Sequence, residues 1–95
     1  MVRLNWTLHA LDKIEEICHY MDDFDVDSSK NFMKSVKNEL NLLKQFPKIG
    51  RIVPERNNEN LREFFIKKFR FLYIYEKNEV IILTILHFKQ DFNLR

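Results

Sequence analysis

The chain has 95 residues, nine of them Phe, and a formal net charge of +2, which fits one domain with one well-filled but modest core. No apolar run approaches the roughly 20 residues that span a bilayer, and the start Met1-Val2-Arg3-Leu4-Asn5-Trp6 lacks the pattern of a secretory signal, so no membrane partner is expected. Cys18 is the single cysteine, which excludes an internal disulfide and argues against a cysteine metal site; both features fit a reducing cytoplasm.

Val2–Trp6 alternates Val2, Leu4 and Trp6 with Arg3 and Asn5, the pattern of a short strand with one buried face. Thr7 is placed to cap a helix through its hydroxyl. Leu8, Leu11, Ile14, Cys18 and Met21 then recur at three- and four-residue steps, predicting one helical stripe to about residues 20–24. Asp23–Ser29 reads as a polar connection, and Ser28 or Ser29 as the cap of a second helix running to about Gln45. The stripe of that helix is Phe32, Val36, Leu40 and Leu43, widened by Met33 and Leu42. Two helices joined by a short polar loop are expected to form a hairpin.

Residues 46–54, Phe-Pro-Lys-Ile-Gly-Arg-Ile-Val-Pro, hold the single glycine and both prolines. Proline lacks an amide proton and glycine permits positive φ, so neither helix nor ladder is expected to run through them. Asn57–Asn60 is a polar turn cluster. Leu61–Ile66 opens a strand series, and Lys67-Lys68 is a turn. Phe69–Tyr75 places Phe69, Phe71, Tyr73 and Tyr75 on one face and Arg70, Leu72 and Ile74 on the other. Lys77-Asn78 fits a tight hairpin loop. Val80–His87 is apolar on both faces, Val80, Ile82, Thr84 and Leu86 against Ile81, Leu83 and Ile85, as a central strand would be. The predicted order is β-α-α-β-β-β. This is an α+β domain over residues 1–95, with a helical hairpin packed on one face of a small, mainly antiparallel sheet.

Charge is unevenly divided. Residues 1–46 carry 6 Lys+Arg and 8 Asp+Glu, and residues 47–95 carry 10 and 6. A basic sheet half suits an acidic or phosphate-bearing partner, and equally suits charged strand edges that resist aggregation. Arg51, Arg62, Arg70, His87 and Lys89 are the groups with chemistry to offer. Arginine can fork onto a phosphate, and histidine can exchange a proton near neutral pH. The plainer reading is a satisfied strand-end histidine and arginines that are solvated or paired with Glu63 and Glu76. The interleaved Lys67-Lys68-Phe69-Arg70-Phe71-Leu72-Tyr73 resembles a base-stacking platform, but aromatics alternating on one strand face fit the core beneath two amphipathic helices better. Glu15-Glu16 and Asp22-Asp23 read as a solvated helix face. His9 and His19 have no ligand partner at metal-site spacing. One glycine cannot build a phosphate-binding glycine loop, and no serine has a nucleophile-elbow context.

Several stretches together resemble one family. Trp6-Thr7-Leu8-His9-Ala10 and the helix after it, residues 46–55 as "FPxIGRxVPE", Leu61-Arg62-Glu63-Phe64 as "LREF", Phe69–Tyr73 as "YRVIY", and Ile85–Asp91 as "VLHxxRD" are similar to the RelE/ParE superfamily of type II toxin–antitoxin toxins. The resemblance spans nearly the whole chain in order. It implies the β-α-α-β-β-β fold, a cognate antitoxin as partner, and neither cofactor nor small-molecule substrate. RelE-like members cut mRNA at the ribosome, which would make His87, Arg70 and Arg51 the catalytic set. ParE-like members act on DNA gyrase, which would leave Arg51, Arg62, Arg70, Lys89 and Arg95 as a contact surface. The first, second and last motifs named after the opening helix point to the ParE branch. Gln90 stands where the last motif has a basic residue, Phe88 lacks the hydroxyl some nucleases carry beside their histidine, and the net charge is low for a ribosome-bound nuclease. A ParE-like gyrase inhibitor is therefore the expectation, with the mRNA nuclease as the alternative.

Overall fold

A computed structural model describes residues 2–87. The elements are β1 (Arg3–Trp6), α1 (Leu8–Asp22), α2 (Ser28–Gln45), β2 (Arg51–Ile52), β3 (Leu61–Ile66), β4 (Phe69–Glu76) and β5 (Glu79–His87). They form a five-stranded sheet in the order β1-β5-β4-β3-β2, with β1 parallel to β5 and the other pairs antiparallel. The α+β architecture is the expected one, with β5 inside the sheet. The addition is β2. Its two residues ladder with Glu63 and Arg62 of β3, inside the segment expected to carry no ladder. Two prolines and a glycine shorten a strand here without forbidding one, because neither proline falls on the paired residues.

Thr7 joins three elements. Its hydroxyl accepts from the Ala10 amide at 3.0 Å and donates to the Leu83 carbonyl at 2.9 Å, so the cap of α1 is also tied to β5. Ala10 and Ile14 are the buried residues of α1, with Ile17, Cys18 and Met21 packed beside them. Leu8, expected on the stripe, is 81% exposed. Ala10, two positions on, is fully buried, so Leu8 lies on the side of the helix turned away from the core. In α2, Phe32, Val36 and Leu43 are buried as expected. Its N-cap is Asp27 rather than a serine, and Ser29 instead donates to Asp22 across the interhelix turn.

The helices cover one sheet face. There Phe32 meets Phe69 edge-on at 5.5 Å, and Phe64 stacks on Phe71 at 4.9 Å. Phe71 and Tyr73 are fully buried, so the aromatic run of β4 is core, as its alternation suggested. A second, smaller apolar cluster of Val53, Leu61 and Leu72, with Leu83 and Leu86 against it, occupies the other face.

The register of β4 and β5 slips between Leu72 and Tyr73, which pair with Thr84 and Ile82 and leave Leu83 as the extra residue. A bulge reverses the faces of everything after it. Ile85 therefore joins the helix-side core and Leu86 the opposite cluster, the reverse of strict alternation. Lys77 and Asn78 both have positive φ, 52° and 60°, in a two-residue loop between Glu76 and Glu79.

Candidate functional site

Glu63 lies between Leu61 and Phe65 on the outer face of β3, so alternation drives a carboxylate into an apolar surface. It is 1% exposed. A carboxylate there is tolerable only if cations meet it, and two do. Arg70 of β4 donates from Nε to Glu63 Oε1 at 3.0 Å and also from Nη2, and Arg51 of β2 donates to Glu63 Oε2. Arg70 also forks onto Glu55, Nη1 to Oε2 at 2.9 Å and Nη2 to Oε1 at 3.2 Å. Arg51 lies over the Phe65 ring at 5.7 Å. Burial opposes the charge on Arg70, but its bonds to Glu55 and Glu63 outweigh that and raise its pKa above the ordinary arginine value. Four charged groups from three strands and a loop thus form one ionic cluster, with Arg70 only 5% exposed at its centre.

The same loop is held from the other side. Tyr73 donates its hydroxyl proton to the Pro47 carbonyl at 2.8 Å and accepts the Gly50 amide at 2.9 Å. Burial raises the phenol pKa despite the opposing Gly50 amide, so the proton needed for the Pro47 bond stays in place. Arg62 donates to the carbonyls of Lys48 and Gly50, at 3.2 and 2.9 Å. Gly50 does not have positive φ. It is glycine for space: a Cβ there would lie 2.6 Å from the Tyr73 hydroxyl and 2.7 Å from the Glu63 carbonyl oxygen. Removing only the hydroxyl, in Tyr73→Phe, leaves two loop groups unpaired and lowers stability by about 1–3 kcal/mol in urea unfolding. A loss below about 0.5 kcal/mol would mean that water replaces the phenol.

His87 ends β5 on the helix side, edge-on to Phe69 with ring centroids 5.8 Å apart. It borders a shallow cleft of about 480 Å³ with Ile17, Tyr20, Met21, Lys67 and Phe69. The ionic cluster is on the opposite face, since Arg70 alternates with the helix-facing Phe69 and Phe71. The structure therefore brings Arg51 and Arg70 together and places His87 apart from them. Lys89 and Arg95 lie outside the described residues. Glu76, considered as an arginine partner, instead accepts from Asn60 at 3.3 Å. His9 shares a hydrogen bond with Thr84 at 2.9 Å. Among the described residues no group of His, Cys, Asp and Glu could hold a metal ion, and no helix is long and apolar enough to cross a membrane.

Two features escaped the sequence reading. One is Glu55, the cluster's second carboxylate, which lies in the loop after β2 and carried no strand pattern; Glu63 was already read as an arginine partner. The other is a groove of about 670 Å³ between the helices, floored by Trp6, Leu11, Ile14 and Leu40 and edged by Lys30, Lys34 and Lys37. The lysine spacing of four and three along α2 puts those cations on one helix face.

Comparison with known proteins agrees with this architecture. The family model described as the ParE toxin of the type II toxin–antitoxin system, parDE, matches residues 4–92. A Sinorhizobium fredii protein named "Putative toxin Y4kP" is 29% identical over 90 residues, covering 94% of this chain and 91% of its own. The structure titled chromosomal ParDE TA system from P. aeruginosa superposes with a TM-score of 0.62 at 18% identity, covering 92% of this chain and 96% of that one. A conserved protein of Helicobacter pylori, HP0894, superposes with a TM-score of 0.51 at 19% identity, covering 92% and 94%.

Proposed function

The chain belongs to the ParE toxin family of type II toxin–antitoxin systems, and from that premise we propose that it inhibits DNA gyrase by surface contact and is neutralised by a cognate antitoxin. The observation that carries this reading over mRNA cleavage is the separation of His87 from Arg51 and Arg70 by the thickness of the sheet. A phosphate-transfer site needs its acid or base and its phosphate-holding cations within hydrogen-bond reach of the same atoms. Here the arginine pair is already neutralised by Glu55 and Glu63. A protein that acts by contact needs no proton transfer of its own.

The lysine-edged groove supports the antitoxin half of the proposal. Its apolar floor and cationic rim suit an acidic amphipathic segment that folds as it binds. The basic C-terminal residues Lys89 and Arg95 belong to the proposed gyrase surface by their charge.

The test is a supercoiling assay with purified DNA gyrase beside an mRNA-cleavage assay on translating ribosomes. The wild-type protein inhibits supercoiling and leaves mRNA intact, and His87→Ala inhibits within about threefold of wild type. Losing a general acid or base typically costs roughly 10²–10⁴ in rate, so a nuclease would behave very differently. Specific cleavage of ribosome-bound mRNA that disappears in His87→Ala would overturn the proposal.

A further inference from the structure

Residues 46–52 expose Phe46, Ile49 and Ile52 at 56, 54 and 45%. Such side chains are ordinary when scattered, but these three are close together. The Ile49 amide donates to the Phe46 carbonyl at 3.0 Å, which folds the first two into one turn. Ile52 sits directly across from Arg62, whose guanidinium reaches back to Lys48 and Gly50 of that turn.

The patch is also held rigid. Tyr73, Arg62 and Glu63 hold it from two neighbouring strands, β4 and β3. A surface ordered in advance loses little entropy when a folded partner docks. Its rim is basic. Lys48 is exposed, and the loop partners of Arg62 are neutral carbonyls, with no ion pair to its guanidinium among the described residues; Arg51 turns to the opposite sheet face, onto Glu63. The lysine-edged groove, by contrast, borders β1 at the other edge of the sheet.

We infer that Phe46, Ile49 and Ile52, flanked by Lys48 and Arg62, form the docking surface for a folded protein with an apolar centre and an acidic rim, and that this partner is the toxin's target. The inference rests on the gyrase reading and adds where on the toxin that contact is made. An apolar centre with a polar rim is the usual anatomy of a protein interface, with the energy in the centre and rim charge setting approach.

The test uses Ile49→Asp and Ile52→Asp. Both positions are half exposed, so folding is retained, and each new carboxylate repels an acidic partner. Three measurements are made on each variant: inhibition of supercoiling by purified DNA gyrase, affinity for the purified antitoxin, and the thermal midpoint. The expected result is that inhibition weakens about tenfold or more, while antitoxin affinity and thermal midpoint match wild type. Inhibition unchanged in both variants, with wild type active, overturns the docking surface and leaves the gyrase reading standing. Loss of antitoxin affinity instead assigns the patch to the antitoxin, and a wild-type dimer that the variants dissociate assigns it to a second copy. Wild type that fails to inhibit gyrase removes the gyrase reading and this inference with it.

Discussion

Arg70→Met lowers the stability of the protein by about 3–5 kcal/mol, because it leaves the buried Glu63 carboxylate without its main partner. Glu63 is 1% exposed and cannot turn to water. Arg51 still reaches its other oxygen, but Arg51 is largely exposed and its attraction is screened by solvent. Glu55, with 18% of its side chain accessible, is affected less. Adding Glu63→Met to Arg70→Met should recover part of the loss, since removing both charges abolishes the desolvation cost that removing one exposes. Denaturant unfolding of the two single variants and the double variant measures this coupling. The experiment also separates two roles for the arginine. A guanidinium kept for phosphate would cost the fold little when removed. Arg70→Met within about 1 kcal/mol of wild type would therefore refute the structural role and reopen the catalytic one.

Gly50→Val costs about 3 kcal/mol, and the thermal midpoint falls by roughly 10–20 °C. The cause is overpacking. The added Cβ meets the Tyr73 ring and hydroxyl and a carbonyl of β3 at under 3 Å, so either the loop lifts or Tyr73 tilts out of the core. Either movement breaks the Tyr73 bonds to Pro47 and Gly50. In a Tyr73→Phe background the two losses should overlap rather than add. Gly50→Ala decides the cause, since it adds only the Cβ. A midpoint unchanged in Gly50→Ala would show that the loop yields without cost.

Some of the architecture was readable residue by residue. The stripes of α1 and α2, the Thr7 cap, the three long strands and the Lys77-Asn78 loop are local features. Each depends on a period of 3.6 or 2, or on a side chain that reaches only its neighbours. The exposed Leu8 and the Asp27 cap show the limit of that reading, for a period says which residues share a face but not which face the sheet covers. The bulge at Leu83 shows another. A single extra residue in β5 exchanges Ile85 and Leu86 between faces, and nothing in the apolar run from Val80 to Leu86 marks its place.

The candidate site was legible in its residue types and not in its grouping. The chain displayed Arg51, Arg62, Arg70 and His87 as one basic set with chemistry to offer. Their types and order, with the surrounding motifs, determined the resemblance to the toxin family and the fold. Only the tertiary structure decided that Arg51 and Arg70 close on Glu63 and Glu55, that Arg62 holds loop carbonyls, and that His87 stands on the far face. The physical reason is that pairing is non-local. Glu63 meets Arg70 through the β3–β4 register and Arg51 through β2, and those registers are set by how a whole sheet buries its apolar faces rather than by any stretch of sequence.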